Sequence, residues 1–176
     1  MLIEEYNPWD TLIRIHRLKL KASILPLLII IACFILDAVI SFRPARYVSL
    51  AGLILYFLVV IRFRIRKTVP PEAAGKILAP VSGRVTEIGN LHVIISKSIF
   101  RAADIRIASA DPRVQIEFCS GKPIIFEHEN GKAGNLIGIA PGRITCLCQF
   151  PADYNVKVTH GSVLTAGESI LAENES

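Results

Sequence analysis

Three arginines in the second half of the chain are the side chains best suited to bind an anion. Arg101, Arg106 and Arg113 follow one another at short intervals, and a guanidinium donates paired hydrogen bonds to phosphate. If they share one face, they form a basic surface that holds a phosphate or a phospholipid head group. The alternative is a set of scattered surface charges balanced by the acidic neighbours Asp104 and Asp111. The sequence leaves both interpretations open.

Cysteines and one histidine are the other candidates for metal binding. Cys146 and Cys148 point to the same face if they lie on a strand, but this spacing has no second pair to complete a zinc site. We therefore predict buried, reduced thiols, and Cys33 lies in an apolar run. His128 has a glutamate on either side, a pattern typical of a solvated hairpin edge. We expect no metal site.

The composition indicates a membrane protein. Of the 176 residues, 52% are hydrophobic, and the mean hydropathy is +0.47, which is too apolar for an ordinary soluble domain. Residues 1–67 carry ten Lys/Arg against four Asp/Glu, whereas residues 68–176 carry ten against eleven. The positive charge therefore belongs to the apolar part of the chain. Its expected partners are the bilayer and anionic phospholipid rather than nucleic acid.

The first 21 residues predict an amphipathic helix at the membrane surface. Asn7 can cap a helix that starts at Pro8, and Asp10 favours its positive end. Trp9 is expected at head-group level. The alternative is that this segment simply extends the following helix. The predicted membrane-surface side chains of the segment are Trp9, Arg14, Arg17, Lys19 and Lys21.

Residues 22–67 predict a two-helix transmembrane hairpin with basic flanks. The first apolar segment, residues 22–42, is long enough to span a bilayer. The second, residues 48–61, measures only about 21 Å as a helix, so a re-entrant hairpin is the alternative. The basic residues after it are Arg62, Arg64, Arg66 and Lys67. Positive charge on both flanks predicts that both termini face the cytoplasm from the inner (cytoplasmic) membrane.

Residues 68–176 predict a cytoplasmic β-rich domain. Short runs such as residues 114–118 alternate apolar and polar side chains, as strands with one buried face do. Asn130-Gly131 is a strong hairpin-turn signal, and no long helical period follows residue 68. We predict a membrane-anchored all-β protein whose second part is a small β barrel or sandwich.

The order of these pieces resembles the short, membrane-anchored bacterial phosphatidylserine decarboxylases. The resemblance rests on the hairpin, on the basic join to Pro70-Pro71, on residues 78–85, on residues 104–107 and on residues 161–172. It implies a decarboxylase-like fold for the β domain. In that family a Gly-Ser bond rearranges and breaks, the serine becomes a pyruvoyl group, and an Asp and a His assist. The pyruvoyl then acts as electron sink for the loss of CO₂.

The chain departs from this family at each position of the self-cleavage machinery. Ser82 stands at the position of the Asp, Arg106 at that of the His, and Ile144 closes a segment in which the Gly-Ser is missing. The fallback cleavage positions, Thr145 and Cys146, are not preceded directly by glycine. An acyl shift needs its nucleophile next to the bond that it attacks.

The loss of three residues that act as one unit predicts a non-catalytic relative without a cofactor. We expect it to bind phospholipid, or to act as a subunit or assembly factor of a larger membrane complex. The alternative is an active pyruvoyl-dependent phosphatidylserine decarboxylase that serves phosphatidylethanolamine synthesis and cleaves itself at an unusual position.

Overall fold

A computed structural model describes residues 8–40, 44–72, 74–126 and 132–174. Its first part is a pair of long apolar helices, α1 (Pro8–Ile40) and α2 (Pro44–Arg62). Both helices are long and apolar enough to cross a membrane. Arg43, His128 and the Asn130-Gly131 turn signal lie outside the described residues.

The N-terminal segment and the first apolar segment form one continuous helix. α1 therefore corresponds to the alternative in which residues 8–21 extend the membrane helix. It has 33 residues, or about 50 Å at 1.5 Å per residue. Pro26 lies inside it without ending it.

The second apolar helix is longer than the sequence indicated. α2 has 19 residues, or about 28 Å, because it begins at Pro44, whose fixed φ suits a first helical position. Arg46, which precedes Val48, is therefore part of the helix. The length of α2 is close to the hydrocarbon thickness of a bilayer, roughly 30 Å. The helix is therefore not too short to span a bilayer, which was the reason to consider a re-entrant hairpin.

The two helices pack antiparallel along a small-residue contact. A Cβ at Gly52 would lie 3.0 Å from Ile30 and 3.4 Å from Ile29, so the missing side chain lets the helices approach closely. Near the turn, Asp37 accepts from Arg46, with Nε 3.1 Å from Oδ2. These contacts fix the pairing of the helices along the hairpin.

The rest of the described chain consists of short antiparallel strands. They are β1 (Lys76–Leu78), β2 (Gly83–Ile88), β3 (His92–Lys97), β4 (Asp104–Arg106), β5 (Gln115–Ser120), β6 (Ile124–Ile125), β7 (Leu136–Ile139), β8 (Ile144–Gln149), β9 (Tyr154–Val156), β10 (Val163–Leu164) and β11 (Ile170–Asn174). Their sheets have the orders β1-β11-β9, β10-β2-β3-β8-β5 and β4-β7-β6.

The predicted β-rich domain is confirmed, but the barrel is not. Within the described residues the strands form separate sheets and do not close into a barrel. The largest sheet ends on one side at β10, which has two residues, and on the other at β5, which pairs only with β8. A barrel needs an unbroken ladder around its circumference, and these edges interrupt it.

The main core lies between the sheets and is built from aliphatic side chains and two thiols. Val85, Val93 and Ile95 are fully buried, as are Cys146 and Cys148. Val93 and Ile95 alternate with more exposed residues along β3, as expected of a strand with one buried face. The prediction of buried thiols at these two cysteines is confirmed.

A second apolar cluster joins the helices to the β domain. Ile15, near the start of α1, is 3% exposed and packs with Ala103, Leu136 and Ile139. The chain that leaves α2 runs along the same side, where the Ala103 N–H donates to the Arg64 carbonyl at 2.7 Å. The first turns of α1 therefore lie beside the β4-β7-β6 sheet, and the rest of the hairpin extends away from it.

Candidate functional site

Four buried polar side chains lie where the β domain meets the end of the hairpin. Lys97 is the last residue of β3, Asp104 and Arg106 lie on β4, and Ser82 lies in the turn before β2. All four are less than 9% exposed, and Lys97 is only 1% exposed. Burying a charge costs free energy unless the charge is paired or hydrogen-bonded. Each charged side chain of this cluster is therefore expected to have a partner.

The Arg106 guanidinium donates hydrogen bonds to three protein oxygens. Its Nε donates to Asp104 Oδ2 at 2.9 Å, its Nη1 to the Gly134 carbonyl at 2.8 Å, and its Nη2 to the Arg66 carbonyl at 2.8 Å. The last bond ties the basic join to β4. Because these bonds use its guanidinium and it is buried, Arg106 is a structural residue and is not free to bind a phosphate.

Asp104 has one oxygen without a protein partner. Its side chain is fully buried, and while Oδ2 accepts from Arg106, Oδ1 has no hydrogen-bond partner among the described residues. The carboxylate also raises the pKa of Lys97, against a larger lowering by burial. The three charged groups are therefore electrostatically coupled.

The Lys97 ammonium links the turn that follows β3 to the loop at residues 140–142 by hydrogen bonds. Its Nζ donates to the carbonyls of Ala140 at 2.8 Å, Gly142 at 3.2 Å and Ser98 at 3.4 Å. Burial, which is the largest cause, and the nearby Arg62 both lower its pKa while Asp104 raises it, and the net result is a pKa of about 8. Arg62 itself donates from Nε to the Pro141 carbonyl at 3.2 Å. The 140–142 loop is thus fixed from the β sheet and from α2.

The sequence interpretation did not single out Lys97, although a signal was present. Along β3, Val93 and Ile95 face the core, and the same period of two places Lys97 on that face. A lysine at a core position of a strand indicates a buried, partnered ammonium. Its partners are carbonyls from a distant loop, so only the folded chain identifies them.

The three residues at positions that the sequence resemblance assigns to self-cleavage are all buried in the β domain. Ser82 Oγ accepts the Ala166 N–H at 3.0 Å, and Arg106 is bound as described. Ile144 is buried at the start of β8.

The two fallback cleavage positions lie inside a central strand. β8 pairs with β3 on one side and with β5 on the other, and both Thr145 and Cys146 have partners in each ladder. Thr145 Oγ1 accepts from Ser120 Oγ at 3.0 Å. Burial raises the pKa of Cys146 well above its ordinary value. The β5–β8 ladder has a register shift between Phe118 and Ser120, but a strand paired on both sides lacks the strained turn that favours an acyl shift.

The structure gives the three predicted phosphate-binding arginines different surroundings. Arg106 is buried, whereas Arg113 Nη2 is paired with Asp111 at 2.7 Å and with Asp153 at 3.0 Å. This pairing lowers the pKa of Asp111 to about 2. Of the three, Arg101 alone is exposed and has no ion pair with a described residue.

The predicted membrane-surface cations lie around the end of the hairpin. Counting equal numbers of residues along the antiparallel helices from the Gly52 contact places Arg62 at the level of Lys19 and Lys21. In the described parts of the chain none of these three residues has an ion pair, and the same holds for Arg17 and Arg64. We call these five residues the basic ring.

The remaining predicted surface residues lie on the β-domain side of this level. Arg14 Nη1 approaches the Phe126 carbonyl at 3.5 Å, and Arg66 donates from Nη1 to Thr165 Oγ1 at 3.4 Å. Trp9 is 70% exposed at the start of α1, and Lys67 is exposed in the join. These residues therefore accompany the basic ring without belonging to it.

A cavity of about 630 Å³ with both polar and apolar walls lies on the other side of the β4-β7-β6 sheet. Its apolar walls include Ile105, Ile107, Ile116, Phe118 and Ile137. The volume and the lining are within the range of small-molecule sites. The described residues contain no group of three His, Cys, Asp or Glu side chains that could hold a metal ion.

Comparisons with known proteins give no relative for this chain. No family model, no curated protein and no solved structure matches it.

Proposed function

We propose that this protein is a non-catalytic, membrane-anchored module that binds anionic phospholipid at the basic ring. The observation that carries the proposal is the position of the ring, at the level where the apolar hairpin ends and the β domain begins. We also propose that the β domain has a phosphatidylserine decarboxylase-like fold. We place the protein in the inner membrane, with the β domain and both termini on the cytoplasmic side.

The exposure of the hairpin supports a membrane environment. Phe34 and Val39 are 76% exposed and Leu25 is 69% exposed. In the most apolar stretches of α1 and α2, only 17% and 11% of the residues are buried. A monomeric protein in water rarely exposes so continuous an apolar surface. A bilayer would cover it, and the basic ring would then face the phosphates at the membrane surface.

The orientation is testable with single cysteines. Cys119 is exposed on the β domain, and Tyr47, at the turn between the helices, is 78% exposed. In intact cells, a membrane-impermeant maleimide should label Tyr47→Cys in a Cys119→Ser background and should leave Cys119 of the wild type unlabelled. The opposite pattern would reverse the orientation, and labelling of both positions would contradict a transmembrane hairpin.

Lipid binding is testable by native mass spectrometry of the whole chain. We expect the wild type to retain phosphatidylglycerol or phosphatidylserine in preference to phosphatidylcholine. The variant Lys21→Gln/Arg64→Gln removes two exposed cations of the ring. At about 1 kcal/mol for each charge near a membrane surface, its affinity for anionic lipid should fall more than about tenfold.

Arg113→Gln is the matched control, because Arg113 already pairs with Asp111 and Asp153. It should keep the wild-type lipid preference. Equal retention of anionic and zwitterionic lipids by the wild type would contradict the proposal, and so would an unchanged preference in the ring variant. A stoichiometric protein that co-purifies with the chain would instead favour a subunit of a membrane complex.

The absence of self-cleavage is a separate part of the proposal. The support for it is the inert environment of Thr145 and Cys146 together with the partners of Ser82 and Arg106. The intact chain should have a single mass near 19.4 kDa, and hydrazine should trap no carbonyl. Two fragments with a break between Gly142 and Cys146 would contradict this part and would favour the active decarboxylase.

A further inference from the structure

The turn that follows β3 carries an exposed aromatic side chain close to the basic ring. Phe100 is 63% exposed, and the turn closes through the Arg101 N–H, which donates to the Ser98 carbonyl at 3.2 Å. An exposed phenylalanine on a tight turn contributes nothing to the core of the domain. What the Phe100 side chain can contact therefore depends on where its turn lies relative to the helices and the basic ring.

The position of this turn is fixed on both sides. Ser98 follows Lys97, whose ammonium also holds the 140–142 loop. Ala103 donates its N–H to the Arg64 carbonyl, directly after the end of α2. Phe100 lies three positions before Ala103, so its backbone lies within about 11 Å of that hydrogen bond, at no more than ~3.6 Å per residue.

The charges near Phe100 match a membrane surface. Arg101 is exposed, and so is Arg143, which follows Gly142 in the loop that Lys97 and Arg62 hold. Neither arginine has an ion pair among the described residues. A Cβ at Gly142 would meet nothing within 4 Å, so the loop has open space beside it. Apolar side chains next to unpaired cations are typical of segments that lie in the membrane interface.

We propose that Phe100 inserts into the interfacial region of the same bilayer that holds the hairpin, with Arg101 at the level of the lipid phosphates. This inference rests on the proposed membrane anchoring. The turn then acts as a further membrane contact besides the two helices and fixes the orientation of the β domain relative to the membrane surface. The partner is the lipid bilayer, and a protein that covers Phe100 is the competing outcome.

Tryptophan fluorescence of the full chain in vesicles tests this contact. Trp9 is the only tryptophan of the chain, so Trp9→Phe provides a dark background. Phe100→Trp is the reporter of the turn. Leu91→Trp is the matched control, because Leu91 is 45% exposed and precedes β3, at the opposite end of the strand from Lys97. Phe34→Trp reports insertion of the hairpin.

The vesicles contain phosphatidylglycerol and phosphatidylcholine, the latter brominated on the acyl chains close to the head group. We expect the reporters at positions 100 and 34 to lose most of their fluorescence and the reporter at position 91 to keep its intensity. Quenching at position 34 without quenching at position 100 would overturn the contact and leave the anchoring intact. An absence of quenching at all three positions would overturn both.

Equal quenching at positions 91 and 100 would also overturn the contact, because it would show that the domain has no fixed orientation on the membrane. A protein partner over Phe100 would appear as protection from the brominated lipid at position 100, and this outcome too would overturn the inference. Phe100 is mostly exposed, so the substitution should leave the fold of the β domain unchanged.

Discussion

The ammonium nitrogen of Lys97 lies 2.8 Å from the carbonyl oxygen of Ala140. This hydrogen bond joins the end of a central strand to the loop at residues 140–142, where the resemblance proposed from the sequence would put a scissile bond. The same ammonium donates to Gly142, and Arg62 donates to Pro141. The loop is therefore held in place by hydrogen bonds from two cations, Lys97 and Arg62.

Replacement of Lys97 should destabilise the protein. Lys97→Met removes the donor of the Ala140 and Gly142 carbonyls. An unsatisfied buried acceptor costs about 1–3 kcal/mol, so the free energy of unfolding should fall by a similar amount near neutral pH. Thermal unfolding of the whole chain in detergent measures this change. An unchanged Tm would show that the hydrogen bonds do not contribute to stability.

The same variant tests the pKa of Lys97. Burial lowers this pKa from 10.5 to about 8, so the unfolded chain binds more protons than the folded chain between these pH values. The contribution of Lys97 to stability therefore rises as the pH increases from about 8 to 10.5. The stability difference between the wild type and Lys97→Met should widen over that interval, whereas an ordinary pKa would leave it constant.

Loss of Arg106 should be more harmful than loss of an exposed arginine. Arg106→Met leaves the fully buried Asp104 carboxylate without its partner, and breaking a buried ion pair in this way costs about 3–5 kcal/mol. The double variant Asp104→Asn/Arg106→Met should recover part of the stability, because the buried charge is removed. Arg113→Met, at an exposed ion pair, should change the Tm little. Equal Tm values for Arg106→Met and Arg113→Met would contradict the buried pair.

A glycine supports the position of Arg106. Gly167 has a φ of +71°, and a Cβ there would lie 2.5 Å from Arg106 Cδ. Gly167→Ala should therefore cost about 1–2 kcal/mol for the left-handed backbone and a further amount for displacing Arg106. Gly161 has a φ of +81° with nothing within 4 Å, so Gly161→Ala should show the backbone cost alone. Equal losses of Tm in the two variants would exclude the contact with Arg106.

Thiol reactivity should separate the cysteines of the β domain. Cys119 is exposed, whereas Cys146 and Cys148 are buried, and burial raises the pKa of Cys148 to about 12. Because the thiolate is the reactive form, iodoacetamide should modify Cys119 in the folded chain and spare the other two until the protein is denatured. Peptide mass spectrometry identifies the modified positions. Early modification of Cys146 would contradict its place in the core.

Local sequence patterns determined the main elements of this protein. The unbroken apolar runs predicted two apolar helices, and the alternation of residues 114–118 predicted the strand β5. The burial of Cys146 and Cys148 follows from the same period. These features depend on residues that are neighbours in sequence, so they can be predicted without the fold.

Only the tertiary structure decided the roles of the charged residues. Arg101, Arg106 and Arg113 are of one type and follow one another closely, yet Arg106 is buried while the other two are exposed. Asp104 and Asp111 are local ion-pair partners of Arg106 and Arg113, two residues before each arginine. The other partners, which are the Gly134 and Arg66 carbonyls and Asp153, come from distant segments. Lys97 finds its acceptors in the loop at residues 140–142, and Arg106 finds one in the join after α2. The electrostatic energy of a charge depends on its burial and on its nearest partners, and the fold alone determines both.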